Sequence, residues 1–197
     1  MTILNDVPPT SSGTQGEPAP EGLYEGRRAM TVQGYEEANI KLGVQFEGSK
    51  NFGEVAGGTV LNTIFRTGNL PVSLKRRLVS FTGEGVTGEI FINPTYTGGT
   101  SESYQNGTTI SPAVGISQIL VNLTTLTNDG TLAFAPVHAF GNASNQGKGG
   151  VLALIEPEHI LAPNTDFLLR LTSLDSNPQS LASHLVWYEG NLDLPLP

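Results

Sequence analysis

The sequence contains no cysteine, which excludes disulfide bonds and thiolate metal sites. Basic residues are scarce: ten lysines and arginines stand against 18 aspartates and glutamates, so the net charge is −8. Nucleic-acid binding requires a basic surface, and anionic membranes do not attract acidic proteins, so we expect neither partner. No apolar run approaches the roughly 20 residues of a membrane span. The N-terminus lacks a secretory signal, so we expect synthesis in the host cytoplasm.

Convincing amphipathic helices are also lacking, and only residues 158–161 allow a single helical turn. Alternation of apolar and polar residues is frequent instead, for example over residues 40–46 and at Phe167, Leu169 and Leu171. With 24 glycines and 13 prolines marking turns, the pattern predicts eight or nine short strands. We therefore predict an all-β fold, a jelly-roll-like β-sandwich whose long connections cross between two sheets.

We predict that residues 1–28 form an extended N-terminal arm, because their prolines and glycines prevent a helix or a central strand. Residues 29–191 then form the sandwich domain, and residues 192–197 an extended C-terminal tail. Ordering such segments requires a partner surface, either the body of the chain or a neighbouring subunit. The predicted partner contacts are Leu4, Val7, Leu23, Tyr24, Arg27, Arg28, Leu192, Leu194 and Leu196.

Sequence signals of catalysis are weak. His138, His159 and His184 lie in three separate segments without metal-ligand spacing. Residues 141–149 depart from the phosphate-binding loop pattern, and the segment around Ser117 lacks the second glycine of a nucleophile elbow. We therefore expect no enzyme, no catalytic residue, no metal and no cofactor.

A carbohydrate-binding module stays open as an alternative, because sandwich domains bind sugars through exposed aromatic rings. Tyr96, Tyr104 and Trp187 are candidates, and Tyr104 falls in the longest predicted polar loop, residues 97–113. Of the neighbouring rings of Trp187 and Tyr188, we expect one in the core and the other at an edge or interface. The basic run 75–77 is expected to be a solvent-facing or interface charge group.

Four segments carry a resemblance to a known class of proteins: Asn62-Thr-Ile-Phe-Arg-Thr-Gly68, Asn93-Pro-Thr-Tyr-Thr-Gly-Gly99, residues 161–171 and Trp187-Tyr-Glu-Gly190. In these segments the chain resembles virion structural proteins of tailed bacteriophages, most of all head decoration (cement) proteins. The resemblance implies a trimer, or another homo-oligomer, on the capsid surface that clamps major capsid protein subunits together. It transfers no residue roles. A tail, baseplate or fibre-associated protein is the alternative within the same class.

Overall fold

The computed structural model describes residues 35–110, 112–141, 150–153 and 158–190. The chain divides into two compact units, Met1–Ala38 and Asn39–Pro197. The predicted arm (residues 1–28) and tail (residues 192–197), with all nine predicted partner contacts, lie outside the described residues. The arm, its boundary and these contacts therefore stay predictions.

One helix and thirteen strands make up the described residues. In chain order they are α1 Tyr35–Lys41, β1 Gln45–Val55, β2 Val60–Arg66, β3 Val72–Phe81, β4 Gly85–Ile92, β5 Thr95–Glu102, β6 Gln105–Asn106, β7 Gln118–Asn128, β8 Thr131–Leu132, β9 Val137–Phe140, β10 Gly150–Ala153, β11 His159–Leu161, β12 Asp166–Ser173 and β13 Gln179–Glu189.

The strands form two antiparallel sheets. The first has the order β10-β3-β13-β1-β6, with β11 also paired to β3. The second has the order β5-β7-β2-β12-β4-β8, with β9 also paired to β4. The chain changes sheet between β1 and β2, on both sides of β3, of β6 and of β12, and between β9 and β10. The all-β sandwich with crossing connections is thus confirmed.

The core lies between the two sheets, where alternating side chains of both meet. Phe167, Leu169 and Leu171 of β12 are buried there, as their alternation predicts. The indole of Trp187 stacks on Phe46 at 5.9 Å and meets Phe65 edge-on at 5.2 Å between ring centroids. This aromatic group supplies much apolar area to the core, since each such ring buries about 150–250 Å².

Three local predictions are wrong. Residues 35–41 form α1, and the strand expected over residues 40–46 begins only at Gln45. The predicted polar loop over residues 97–113 contains most of β5, a strand of exposed polar residues paired to β7. Residues 159–161 form β11 instead of a helical turn. In the first case the alternation misled because Ile40 of α1 is exposed. In the second case the polar sequence misled because β5 lies at a sheet edge.

A β-bulge in β3 reverses which side chains face the core. Val186 pairs with Arg76, whereas Trp187 pairs with Leu74, so Lys75 is the extra residue. Before the bulge Leu74 is buried, and after it Arg77 and Val79 are buried. The bulge therefore places Arg77 inside the protein.

Candidate docking surface at one end of the sandwich

Several strand ends meet at one end of the sandwich. The N–H of Glu189, the last residue of β13, donates a hydrogen bond to the carbonyl of Val44, just before β1, at 3.1 Å. The next residue, Gly190, donates to the carbonyl of Pro71 just before β3, at 3.3 Å. The β6–β7 connection closes over the same end.

Backbone hydrogen bonds hold the turn after α1 against the β6–β7 connection. The Ala113 N–H donates to the carbonyl of Gly43 at 3.2 Å. The side-chain amide of Asn106 donates to the carbonyls of both residues, at 2.6 and 3.1 Å. Leu42 and Val114 flank this junction in the sequence, and both are exposed.

Five apolar side chains within three sequence positions of Gly43 or Ala113 are exposed, and we call them the end patch: Ile40, Leu42, Ile110, Val114 and Ile116. Val114 is 90% exposed, Ile110 79% and Leu42 69%. Single exposed apolar residues are ordinary on protein surfaces. A group of them joined through one backbone junction is typical of an interaction surface.

A buried carboxylate fixes the loop that carries three of the five end-patch residues. Glu189 accepts hydrogen bonds from the main-chain N–H groups of Ile116 at 2.7 Å and Ser117 at 3.0 Å. The indole N–H of Trp187 donates to the same carboxylate at 3.2 Å. Because the acceptor belongs to a central core strand, the loop backbone is held in place before any partner binds.

Tyr104 fixes the same loop from its other side. Its hydroxyl donates to the carbonyl of Ser117 at 2.8 Å, and its ring packs edge-on against Trp187 at 5.0 Å. Burial, and then the negative charge of Glu189, raise the pKa of Tyr104 above its usual value, so the hydroxyl remains a donor at neutral pH. The expectation of an exposed loop tyrosine is therefore wrong.

The other candidate sugar-stacking rings are also engaged within the chain. Trp187 is fully buried in the core cluster, whereas Tyr188 is buried outside that cluster, with the Lys75 ammonium 5.0 Å from its ring centroid. Tyr96 donates its hydroxyl to Asp166 at 2.7 Å and accepts a hydrogen bond from Arg66 at 2.7 Å. All three candidate sugar-binding rings therefore make contacts with other residues of this chain.

Arg66, Tyr96 and Asp166 form a hydrogen-bonded ion network on the second sheet. The guanidinium of Arg66 donates to both carboxylate oxygens of Asp166, at 2.8 and 3.2 Å. Partial burial by itself would raise the pKa of Asp166, but the hydrogen bonds from Arg66 and Tyr96 outweigh it and hold that pKa below its usual value. The network links β2, β5 and β12 near their ends.

The three histidines lie apart. His138 Nδ1 is 2.9 Å from the hydroxyl of Thr87, and His184 is 3.8 Å from the carboxylate of Glu47. His159 stacks on Phe134 at 3.9 Å between ring centroids, and burial lowers its pKa. Within the described ranges no group of three or more histidine, aspartate and glutamate side chains is placed to hold a metal ion. No helix in those ranges has the length and apolar character to cross a membrane.

The sequence did not reveal the end patch. The alternation predicts Ile40 and Leu42 on one face of a strand, and Ile110 in a polar loop. The available signal was the apolar content of the Ile110-Ser-Pro-Ala-Val-Gly-Ile116 segment, where Pro112 and Gly115 argue against a buried strand.

No protein-family model matches this chain, and no curated protein matches it. Among solved structures it is similar to infectious bursal disease virus Gt strain, with 12% identity, a TM-score of 0.17 and coverage of 93% of this chain and 50% of the other. The infectious bursal disease virus VP2 subviral particle has 11% identity and a TM-score of 0.18, with 89% and 47% covered. The chain thus spans about half the length of these viral chains. Overlaps at such TM-scores establish neither a shared fold nor a shared function.

Proposed function

We propose that this chain is a virion structural protein of a tailed bacteriophage. In this proposal it is a decoration protein that binds the outer surface of the head and stabilises contacts between major capsid subunits. The resemblance of its turn segments to such proteins suggests the class. The observation that carries the proposal is the end patch, a set of exposed apolar residues of which Ile110, Val114 and Ile116 belong to the loop that Glu189 and Tyr104 hold.

The physics of the end patch suits docking onto another protein. Burying one large aliphatic side chain contributes about 1.5–3 kcal/mol. A loop that is already ordered loses little conformational entropy on binding, so more of this contribution appears as affinity. The net charge of −8 disfavours an acidic partner surface, which leaves an apolar surface with a neutral or basic rim as the matching one.

Oligomerisation would multiply this contact. A trimer presents three copies of the same patch, and simultaneous engagement raises the effective affinity without any new contact. The predicted contacts within residues 1–28 and 192–197 belong to the same proposal, because extended segments can cross a subunit boundary and bury area on a neighbour.

The test compares binding of the full-length chain and its variants to heads of the phage that encodes it, purified without this protein. The double variant Leu42→Ser, Val114→Ser removes the two side chains at the Gly43–Ala113 junction. The matched control is Phe140→Ser, because Phe140 is 78% exposed and pairs with Gly85 at the opposite end of the sandwich.

Co-sedimentation should show at least a tenfold loss of affinity for the double variant, since two buried aliphatic contacts contribute more than the roughly 1.4 kcal/mol that a factor of ten represents. Phe140→Ser should bind as the unaltered chain does. Equal binding by all three proteins would remove the end patch from the proposal. Electron microscopy of virions carrying a tagged chain then locates the protein: density on the head supports a decoration role, and density on the tail or baseplate contradicts it.

A further inference from the structure

Arg77 lies in the core of the sandwich and not at the surface. The bulge at Lys75 turns it to the same side of β3 as Val79 and Phe81, and it is only 2% exposed. The preceding residue, Arg76, remains exposed as the sequence predicts for this basic run. For Arg77 that expectation is wrong.

The guanidinium of Arg77 has few partners. Its two terminal nitrogens approach the main-chain carbonyls of Glu89 and Arg170 only at 3.5 and 3.4 Å. Its Nε–H is buried and has no hydrogen-bond partner. Burial lowers the pKa of Arg77 to about 10, so the group is still charged at neutral pH.

No carboxylate forms an ion pair with this guanidinium in the part of the chain that the structure describes. A buried charge without a counter-charge is strongly unfavourable, because the lost hydration is not replaced. Two long hydrogen bonds to neutral carbonyls replace only part of that hydration. The site therefore favours an added negative charge.

A cavity of about 30 Å³ lies against Arg77 between the two sheets. Its inner wall is aliphatic and includes Leu61, Leu169, Leu171 and Leu185. Lys50 and Glu102, which form an ion pair, and the exposed Ser49 and Ser103 line its other side, so the cavity opens to solvent there.

The lining has an excess of positive charge. The carboxylate of Glu102 is paired with Lys50, which leaves Arg77 as the lining residue whose charge has no counter-charge. The space accepts one or two groups of about the size of a water molecule. A chloride ion is only slightly larger than water, and a formate or acetate ion presents one carboxylate to the guanidinium fork.

We propose that this cavity is a binding site for one small monovalent anion, chloride or a short carboxylate, with Arg77 as its principal ligand. The aliphatic wall and the single guanidinium disfavour sulfate and phosphate, whose second charge would be left buried and unpaired. Water in the cavity would leave the charge of the guanidinium unneutralised. The anion instead supplies both a hydrogen-bond acceptor and the missing counter-charge.

Bromide replaces chloride and is located by its anomalous scattering. Crystals of the full-length chain grown in sodium bromide should show an anomalous peak in the cavity, at about 3.5 Å or less from a guanidinium nitrogen of Arg77. Bromide bound only at the surface, or no peak in the cavity, would overturn the proposal. This measurement uses the unaltered protein and so does not depend on whether a variant folds.

Thermal unfolding of the same chain distinguishes the ions. At constant ionic strength, replacing gluconate by chloride should raise the melting temperature by about 2–4 °C in a saturable manner, because a ligand of the native state stabilises it. Acetate and formate are compared in the same series to identify the preferred anion, and gluconate is too large to enter.

The matched variants are Arg77→Met, which removes the buried guanidinium, and Arg76→Met, which removes the exposed guanidinium of the neighbouring residue. Arg76→Met should keep the full response to chloride, and Arg77→Met should lose it. An equal response in both variants would assign the effect to the protein surface and contradict the proposal.

Discussion

The carboxylate of Glu189 accepts a hydrogen bond from the main-chain N–H of Ile116 at 2.7 Å, although 73 positions separate the two residues in sequence. The same carboxylate accepts the N–H of Ser117 and the indole N–H of Trp187. One side chain on the last described strand thus joins the central aromatic group of the core to the loop of the end patch.

Replacing Glu189 by alanine should destabilise the protein strongly. Three buried N–H groups would lose their acceptor, and each unsatisfied buried donor costs about 1–3 kcal/mol, partly recovered where water enters. We expect a loss of about 2–4 kcal/mol in the free energy of unfolding, measured by urea denaturation with the fluorescence of Trp187 as the probe.

Glu189→Gln is the matched variant, because its single amide oxygen still accepts the N–H groups of Ser117 and Trp187, while its NH2 group faces the N–H of Ile116. It should lose less stability than Glu189→Ala. An exposed carboxylate, Glu47, gives the baseline, and Glu47→Ala should remain within about 0.5 kcal/mol of the unaltered chain. If Glu189→Ala also falls in that range, the carboxylate does not anchor the loop.

The turn at Gly130 requires glycine for two separate reasons. Its φ of 87° is unfavourable for any other residue, and a Cβ atom there would lie 2.1 Å from the carbonyl oxygen of Ile92. Gly53 has a similar φ of 70°, but a Cβ atom would meet nothing within 4 Å. A substitution at Gly53 therefore tests backbone strain alone, and a substitution at Gly130 tests backbone strain together with a steric clash.

Gly130→Ala should lower the free energy of unfolding by about 2–4 kcal/mol, and Gly53→Ala by only about 1 kcal/mol. Urea denaturation of both variants measures the difference. Equal losses would show that the chain at Gly130 shifts away from Ile92 without cost.

The strands whose alternation reflects burial could be predicted from the sequence. Phe167, Leu169 and Leu171 face the core, and the Asn128-Asp-Gly130 turn ends β7 with a hydrogen bond from the Gly130 N–H to the Asn128 side chain at 2.8 Å. In both cases the local residue pattern and the tertiary contacts require the same conformation.

Features that depend on a distant partner strand could not be predicted. The side to which Arg77 points depends on a bulge opposite Trp187, 110 positions further along the chain. β5 is exposed and polar, and only its pairing with β7 reveals it as a strand. Ile40 and Leu42 alternate with polar residues as in a half-buried strand, yet neither is buried. The alternation therefore predicts core residues where the structure has exposed residues of the end patch.

Deleting residues 1–28 tests the predicted arm. Because those residues are expected to contact neighbouring subunits, the truncated chain should unfold within about 0.5 kcal/mol of the full-length chain. Its affinity for purified heads should fall at least tenfold, measured by co-sedimentation. Binding as tight as that of the full-length chain would contradict the proposed role of Leu4, Val7, Leu23 and Tyr24.

The Asp166 network should make stability depend on acid pH. The pKa of Asp166 is lower in the folded chain than in the unfolded one, so its ionised form stabilises the fold above the unfolded pKa of about 4. This contribution is lost as the pH falls through the lower, folded pKa. Asp166→Asn removes this contribution. Because the ion pair of Arg66 and Asp166 is partly exposed, we expect the free energy of unfolding to fall by about 0.5–1 kcal/mol at pH 7.

The difference in unfolding free energy between the unaltered chain and Asp166→Asn should therefore be constant from about pH 5 to 7 and shrink toward zero near pH 2. Urea denaturation at a series of pH values measures it. Arg66→Gln should weaken the same acid dependence, because it removes a hydrogen bond that lowers the pKa of Asp166. A difference of the same size at pH 2 and pH 7 would mean that Asp166 acts through shape and not through its charge.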